Sequence, residues 1–468
     1  MKKFLLIVIA LFAGWSVSAK VELPEMIGDN MVLQQNTSAT LWGWASPRAS
    51  VTAEASWGAR ATVKSDNDGR WTLQLKTPEG SYEPQQITLV SGDKVVLNNV
   101  LIGEVWLGGG QSNMEMSLVG YHNCPAVGAA KVIALANTQR NKIRYVRINR
   151  VGAYTPQERV AGRWNAFTPQ TAAGCTAVGY YFASMLNQAL DVPVGIIDCA
   201  WGGSMVECWM NRESLENYSD VDLSQQGIAA RGDGQRPMVM FNAMVHPVSH
   251  YTLKGFIWYQ GESNIGGHLA YPERLSKMVA LWRSQWNLGE LPFYFVEIAP
   301  FTYNNGLAAY LRESQWKAQK LIPNSAVVST NDLVERYEAS NIHPKNKYDV
   351  GCRLAYHALS KTYGMTGIHS DSPQYVSMEI VADKALITMT QVELGYNRLV
   401  GIEGFEICGA DRVFHPAQAA IDGNFRVVVS SPEVTAPIAV RYAFGDFTPG
   451  NLRNVWELPL VPFRTDNF

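Results

Sequence analysis

Ser112 stands in Gly110-Gln111-Ser112-Asn113, directly after the apolar run Val105-Trp106-Leu107 and the glycine pair Gly108-Gly109. A serine just past a buried strand presents its hydroxyl at the carboxyl edge of a sheet, where open α/β sheets bind ligands. That hydroxyl is a poor nucleophile until a base takes its proton. The candidate base is His343, in Asn341-Ile342-His343-Pro344-Lys345-Asn346-Lys347. The proline that follows pushes His343 out of the helical region and onto a loop. His246, which also precedes a proline, is its rival. Two further segments offer donors. Ile197-Asp198-Cys199-Ala200-Trp201-Gly202-Gly203-Ser204 ends an apolar strand in two glycines, whose N–H groups can hold a developing oxyanion. Trp258-Tyr259-Gln260-Gly261-Glu262-Ser263-Asn264 is dense in polar side chains directly after another apolar strand. Gln260 can donate to an oxyanion, and Glu262 can orient the histidine. Together these residues suit acyl transfer: His343 takes the Ser112 proton and delivers it to a leaving alcohol, while the Ser112 N–H, a glycine N–H and Gln260 hold the negative oxygen. The bland alternatives are a plain strand-to-helix turn at 202–203 and a solvated polar turn at 260–264.

The elements that must position these residues read as α/β. Between residues 101 and 368, apolar strands alternate with amphipathic helices. Expected strands are Lys142–Ile148, Val194–Ile197, Gly255–Tyr259, Phe293–Ile298 and Ala326–Val328. Expected helices are Ala177–Leu190, Tyr271–Trp286, Leu307–Leu321 and a closing Val350–Tyr363, each with an apolar face at helical spacing. This predicts a mostly parallel sheet covered on both faces. Residues 20–100 alternate with period two between turns such as Asn67-Asp68-Gly69, as in a small β-sandwich. Residues 369–468 return to β patterning, with a hairpin turn at Asp422-Gly423-Asn424. Residues 1–19 read as a secretory signal peptide: Lys2-Lys3, an apolar stretch from Phe4 to Trp15, then Val17-Ser18-Ala19. The expectation is an exported chain, periplasmic or extracellular.

Composition excludes several classes. The 468 residues carry a net charge of −2 and no basic run, so neither nucleic acid nor an anionic membrane is an expected partner. Aromatic residues make up 11% and charged residues only 17%, a balance that suits neutral sugar faces. The six cysteines are scattered, with no CxxC or Cys/His cluster, so no metal site is expected and no disulfide pairing is selected.

The four motifs, in this order, resemble those of sialate O-acetylesterases, members of the SGNH-hydrolase superfamily. The flanks extend the likeness: Leu23-Pro24-Glu25-Met26-Ile27-Gly28-Asp29-Asn30-Met31-Val32-Leu33-Gln34 at the start, and Ala439-Val440-Arg441-Tyr442-Ala443-Phe444 and Pro462-Phe463-Arg464-Thr465-Asp466 at the end. The resemblance implies an SGNH-type fold and a serine esterase that removes acetyl groups from sugar hydroxyls with no cofactor. Ser112 falls on the nucleophile, His343 on the base, Gly202 or Gly203 and Gln260 on the oxyanion positions, and Glu262 on a supporting acid. One departure stands out. Family members often carry Asp two residues before the histidine, other SGNH enzymes three before; here those positions are Asn341 and Ser340. Asn341 can orient the imidazole but adds no charge, and Glu338, Glu335, Asp332 and Glu262 are candidate replacements. Trp201, Trp209 and Tyr259 are candidate sugar platforms, and Asn264 a candidate substrate contact. The substrate is an acetylated glycan, sialate by likeness, with xylan or another glycan open. A rival reading makes the chain a glycan-binding protein on a degenerate esterase scaffold. Oligomeric state is not legible.

Overall fold

The structure is a computed structural model describing residues 20–468, so the expected signal peptide lies outside the described residues. Its centre is a sheet of β1 (Asp93–Gly110), β2 (Ile143–Arg147), β3 (Trp164–Ala166), β4 (Val194–Ala200), β5 (Gly255–Tyr259), β6 (Phe293–Val296) and β7 (Ser325–Val328). The strand order is β7-β6-β5-β1-β4-β2-β3. All neighbours are parallel except β3, which runs antiparallel to β2.

Alternate residues on each strand feed two separate cores, the period-two consequence of a pleated backbone. On β5, Phe256 and Trp258 pack with α3 (Tyr271–Trp286) and α4 (Ala308–Leu321). Ile257 and Tyr259 pack on the other face with α2 (Ala177–Leu190) and α5 (Tyr348–His357). A strand buried on both faces reads as a continuous apolar run, which is why Gly255–Tyr259 was legible in the sequence. Small differences sit at the ends. The closing helix begins at Tyr348 and ends at His357, and its last turn widens into a π-helical turn over Ala358–Thr362.

The amino-terminal strands Ser38–Trp44 and Arg70–Lys76 pair with each other. The strands Ser50–Ala55 and Ser81–Ser91 join the first half of β1 in a second sheet. β1 therefore runs unbroken through residues 100 and 101, carrying the sandwich into the α/β sheet without a linker. Residues after 373 form two four-stranded antiparallel sheets around their own core. β1 is the turning point of the strand order: β4 lies on one side and β5 on the other. Such a switch point opens a crevice beyond the carboxyl ends of the strands, and β1 ends at Gly110, two residues before Ser112.

Candidate active site

The exit from β1 is built on Gly110. Its φ is +137°, and a methyl group there would lie 2.2 Å from the Tyr259 carbonyl oxygen, so no other residue fits. Gln111 is extended, its N–H donates to the Tyr259 carbonyl at 3.0 Å, and its side-chain oxygen accepts from the Gly261 N–H at 3.1 Å. Ser112 then opens the single-turn helix α1 (Ser112–Glu115) with its side chain half-buried.

His343 comes to this turn from a segment far along the chain. Asn113 donates one amide hydrogen to the Ile342 carbonyl at 3.1 Å, joining the serine turn to the histidine loop across 229 positions. Tyr121 reinforces the join: its hydroxyl donates to the Ser112 carbonyl at 3.0 Å, and its ring lies 4.8 Å from the imidazole. Burial and the Lys347 charge lower the His343 pKa to about 4. His246, the rival, lies elsewhere, in a crevice with Trp42, Trp44 and His250.

The Trp201-Gly202-Gly203 turn reaches the same place, with the Trp201 N–H on the Gly110 carbonyl at 2.9 Å. A methyl group on Gly202 would sit 3.3 Å from Ser112 Cβ. The Gly202 N–H, however, is taken by Glu115 Oε2 at 2.7 Å. Gly203 lies at φ +77°, and among the described residues neither its N–H nor that of Ser112 makes a hydrogen bond. These two are the donors left for an oxyanion.

Several sequence expectations are corrected. Gln260 is fully buried, and both its amide hydrogens are committed, to the Ser204 carbonyl at 2.9 Å and Asn264 Oδ1 at 2.8 Å. It braces the loop and has no hydrogen for an oxyanion. Asn264 is buried too, accepting from the Val206 N–H and donating to Glu207 at 3.0 Å, so it does not face substrate. Asn341 accepts from the His343 backbone N–H at 3.0 Å and from Cys124, so it shapes the loop rather than orienting the imidazole. Trp209 and Tyr259 are core residues, whereas Trp201 is half-buried and lines a cavity. None of the candidate carboxylates serves His343. Glu338 and Glu335 cap their own turn, Asp332 pairs with Arg353 and Arg453, each at 2.7 Å, and Glu262 accepts from Asn113 at 2.6 Å. Among the described residues, the charge that acts on the imidazole, after burial, is the Lys347 cation.

A cavity of about 310 Å³ at the Trp201 end of the glycine turn is lined by Arg150, Tyr154, Trp201, Asp233 and Arg236. Arg150 reaches Glu115 at 3.2 Å, so one carboxylate ties the serine turn, Gly202 and this cavity together. Tyr121, Glu115 and Arg150 carry no local sequence signal. Asn113 and Lys347 stood inside the motifs with no role given to them. All six cysteines are free thiols, and no metal-binding cluster occurs among the described residues. No helix among the described residues is long and apolar enough to cross a membrane.

A family model described as carbohydrate esterase, sialic acid-specific acetylesterase, matches residues 102–360. The chain belongs to this esterase family. A solved carbohydrate acetylesterase from Xanthomonas citri superposes with a TM-score of 0.84 at 36% identity, covering 96% of this chain and all of that one. Sialate O-acetylesterases of Pongo abelii and Homo sapiens are 27% and 26% identical, covering 87% and 82% of this chain and 84% and 79% of their own. The protein is thus a carbohydrate O-acetylesterase with an SGNH-type fold, and the binding-only reading falls away.

Proposed function

We propose that this esterase is exported and cleaves O-acetyl groups from sialate through an acetyl-enzyme on Ser112, with His343 as base. The observation that supports the reading is the Asn113–Ile342 hydrogen bond, which joins the Ser112 turn to the His343 loop, together with the low pKa of about 4 that leaves the imidazole neutral. His343 accepts the Ser112 Oγ proton as the oxygen attacks the acetyl carbonyl. The tetrahedral oxyanion is held by the Ser112 and Gly203 N–H groups. Collapse breaks the bond to the sugar oxygen, which leaves as an alcohol with the proton from His343. Water, giving a proton to His343, then attacks the acetyl-serine, and its collapse returns Ser112 and releases acetate. Among the described residues no carboxylate pairs with the imidazole, so the reading is a dyad.

The sialate reading draws support from the cavity beside the Trp201-Gly202 turn: it is lined by Arg150 and Arg236, whose guanidinium groups pair with Glu115 and Asp233 and would turn to a sugar carboxylate. A neutral acetylated glycan is the second reading, favoured by the aromatic walls Trp201 and Tyr154. Export rests on residues 1–19, and a mature protein beginning at Lys20 tests it. Acetate release from O-acetylated sialic acid, compared between the enzyme and Ser112→Ala, tests the chemistry. Equal release by both would defeat it.

A further inference from the structure

We propose that Lys347 is a positioning residue for this hydrolysis, acting on both Ser112 and His343 through the buried amide of Asn113. The inference rests on Ser112 and His343 being nucleophile and base. Lys347 is 1% exposed, where a lysine is rarely found without a purpose-built partner. Its ammonium donates to Asn113 Oδ1 at 2.7 Å and lies 5.7 Å from the Tyr259 ring centroid. Asn113 is itself fully buried. Its nitrogen donates to Glu262 Oε1 at 2.6 Å and to the Ile342 carbonyl. Cation on the oxygen and carboxylate on the nitrogen leave the amide one orientation. Turned over, it would point donors at a donor and an acceptor at acceptors. That orientation delivers the nitrogen to Ile342 and so sets the histidine loop against the serine turn. Charge at both ends makes these bonds stronger than neutral ones.

The same ammonium has an electrostatic effect. Among the described residues, the Tyr121 ring packs on His343 and the Lys347 charge acts on it. Those facing Lys347 are Glu262 from the turn after β5, Glu338 from the turn ahead of the histidine loop, and Cys124 from the loop after α1. Where a triad sets an anion behind the imidazole, this site sets a cation near it. Burial is the larger cause that disfavours imidazolium, and the cation adds to it, so that the base stays unprotonated in acid. Burial pulls the Lys347 pKa down to about 7, and its neighbouring acids hold it from falling further, so it is charged wherever His343 titrates.

Two substitutions separate position from charge, read in kcat, KM and the acid limb of kcat/KM with 4-nitrophenyl acetate, alongside thermal unfolding. Lys347→Met removes both. It should lower kcat by about tenfold or more, the loss of one charge-assisted hydrogen bond, with KM within about twofold, and move the acid limb up toward the ordinary histidine value. Lys347→Gln keeps a donor for Asn113 and drops the charge. It should recover much of kcat yet keep the raised limb. A folded Lys347→Met with wild-type kcat and limb overturns the proposal. So does a loss of kcat with the limb unmoved, which is what a merely structural lysine gives. If Lys347→Met does not fold, the limb of Lys347→Gln decides alone. Undiminished activity in Ser112→Ala or His343→Ala would instead sink the reading of the site, a separate outcome.

Discussion

Acid titration of kcat/KM isolates the state of His343. The imidazole is held to about 4 because it is partly buried and faces a cation, with no carboxylate to favour its charged form. Only neutral imidazole accepts the Ser112 proton, so activity should persist until pH falls to that value. At pH 5 an imidazole of pKa about 4 is about nine-tenths neutral, whereas one titrating near 6.5 is about 3% neutral. The difference is roughly thirtyfold in rate at a single pH. The assay is initial hydrolysis of 4-nitrophenyl acetate below KM, followed at the isosbestic wavelength of the phenol and phenolate, across about pH 3.5 to 8. An acid limb near pH 4 is expected. A limb at 6.5 or above would refute the reasoning, because it requires either a solvated imidazole or an anionic partner that the site does not show.

Other consequences follow from the same geometry. Arg150→Ala should raise KM for O-acetylated sialic acid by about tenfold and leave an acetylated neutral methyl glycoside unchanged, as one lost guanidinium–carboxylate contact implies. Equal effects on both would remove the carboxylate from the substrate reading. Arg274→Met should lower stability by about 3 kcal/mol, read in the urea midpoint, because Glu207 is buried and loses the partner 2.5 Å away. A cost under about 1 kcal/mol would contradict the view that Glu207 depends on that partner. Buried His357, like His343, is held below its ordinary value in the folded chain. Its stabilising contribution is therefore complete above about pH 6.5 and is lost as pH falls from there through about 4, since the unfolded chain takes up protons first. Denaturant midpoints at pH 7 and pH 5 should differ in that direction, and His357→Gln should shrink the difference.

The elements were legible where one physical rule dominated. Ala177–Leu190, Gly255–Tyr259 and Tyr271–Trp286 have the ends that the apolar pattern gave, because a strand buried on both faces leaves a uniform run and a helix packed on the sheet leaves an apolar stripe at helical spacing. Phe425, directly after the expected hairpin turn Asp422-Gly423-Asn424, still lies in the turn at φ +59°, a conformation that side-chain pattern does not encode. The motifs drew attention to the right loops, yet not to which atoms face inward. Gln260 and Asn264 look like active-site donors in the chain, but their amides close on each other and on Ser204 and Glu207. Asn341 reads as a partner for the ring and turns instead to the backbone two residues on. Tyr121, Arg150 and Lys347 act through contacts with residues that only folding brings near, and no local spacing announces them.

The central claim is that Ser112 forms the covalent intermediate with His343 as its base. Labelling with a fluorophosphonate, followed by peptide mass spectrometry, tests it most directly. One equivalent should be found on Ser112, absent in Ser112→Ala and formed far more slowly in His343→Ala. A label on another serine, or full labelling speed without His343, would contradict the account.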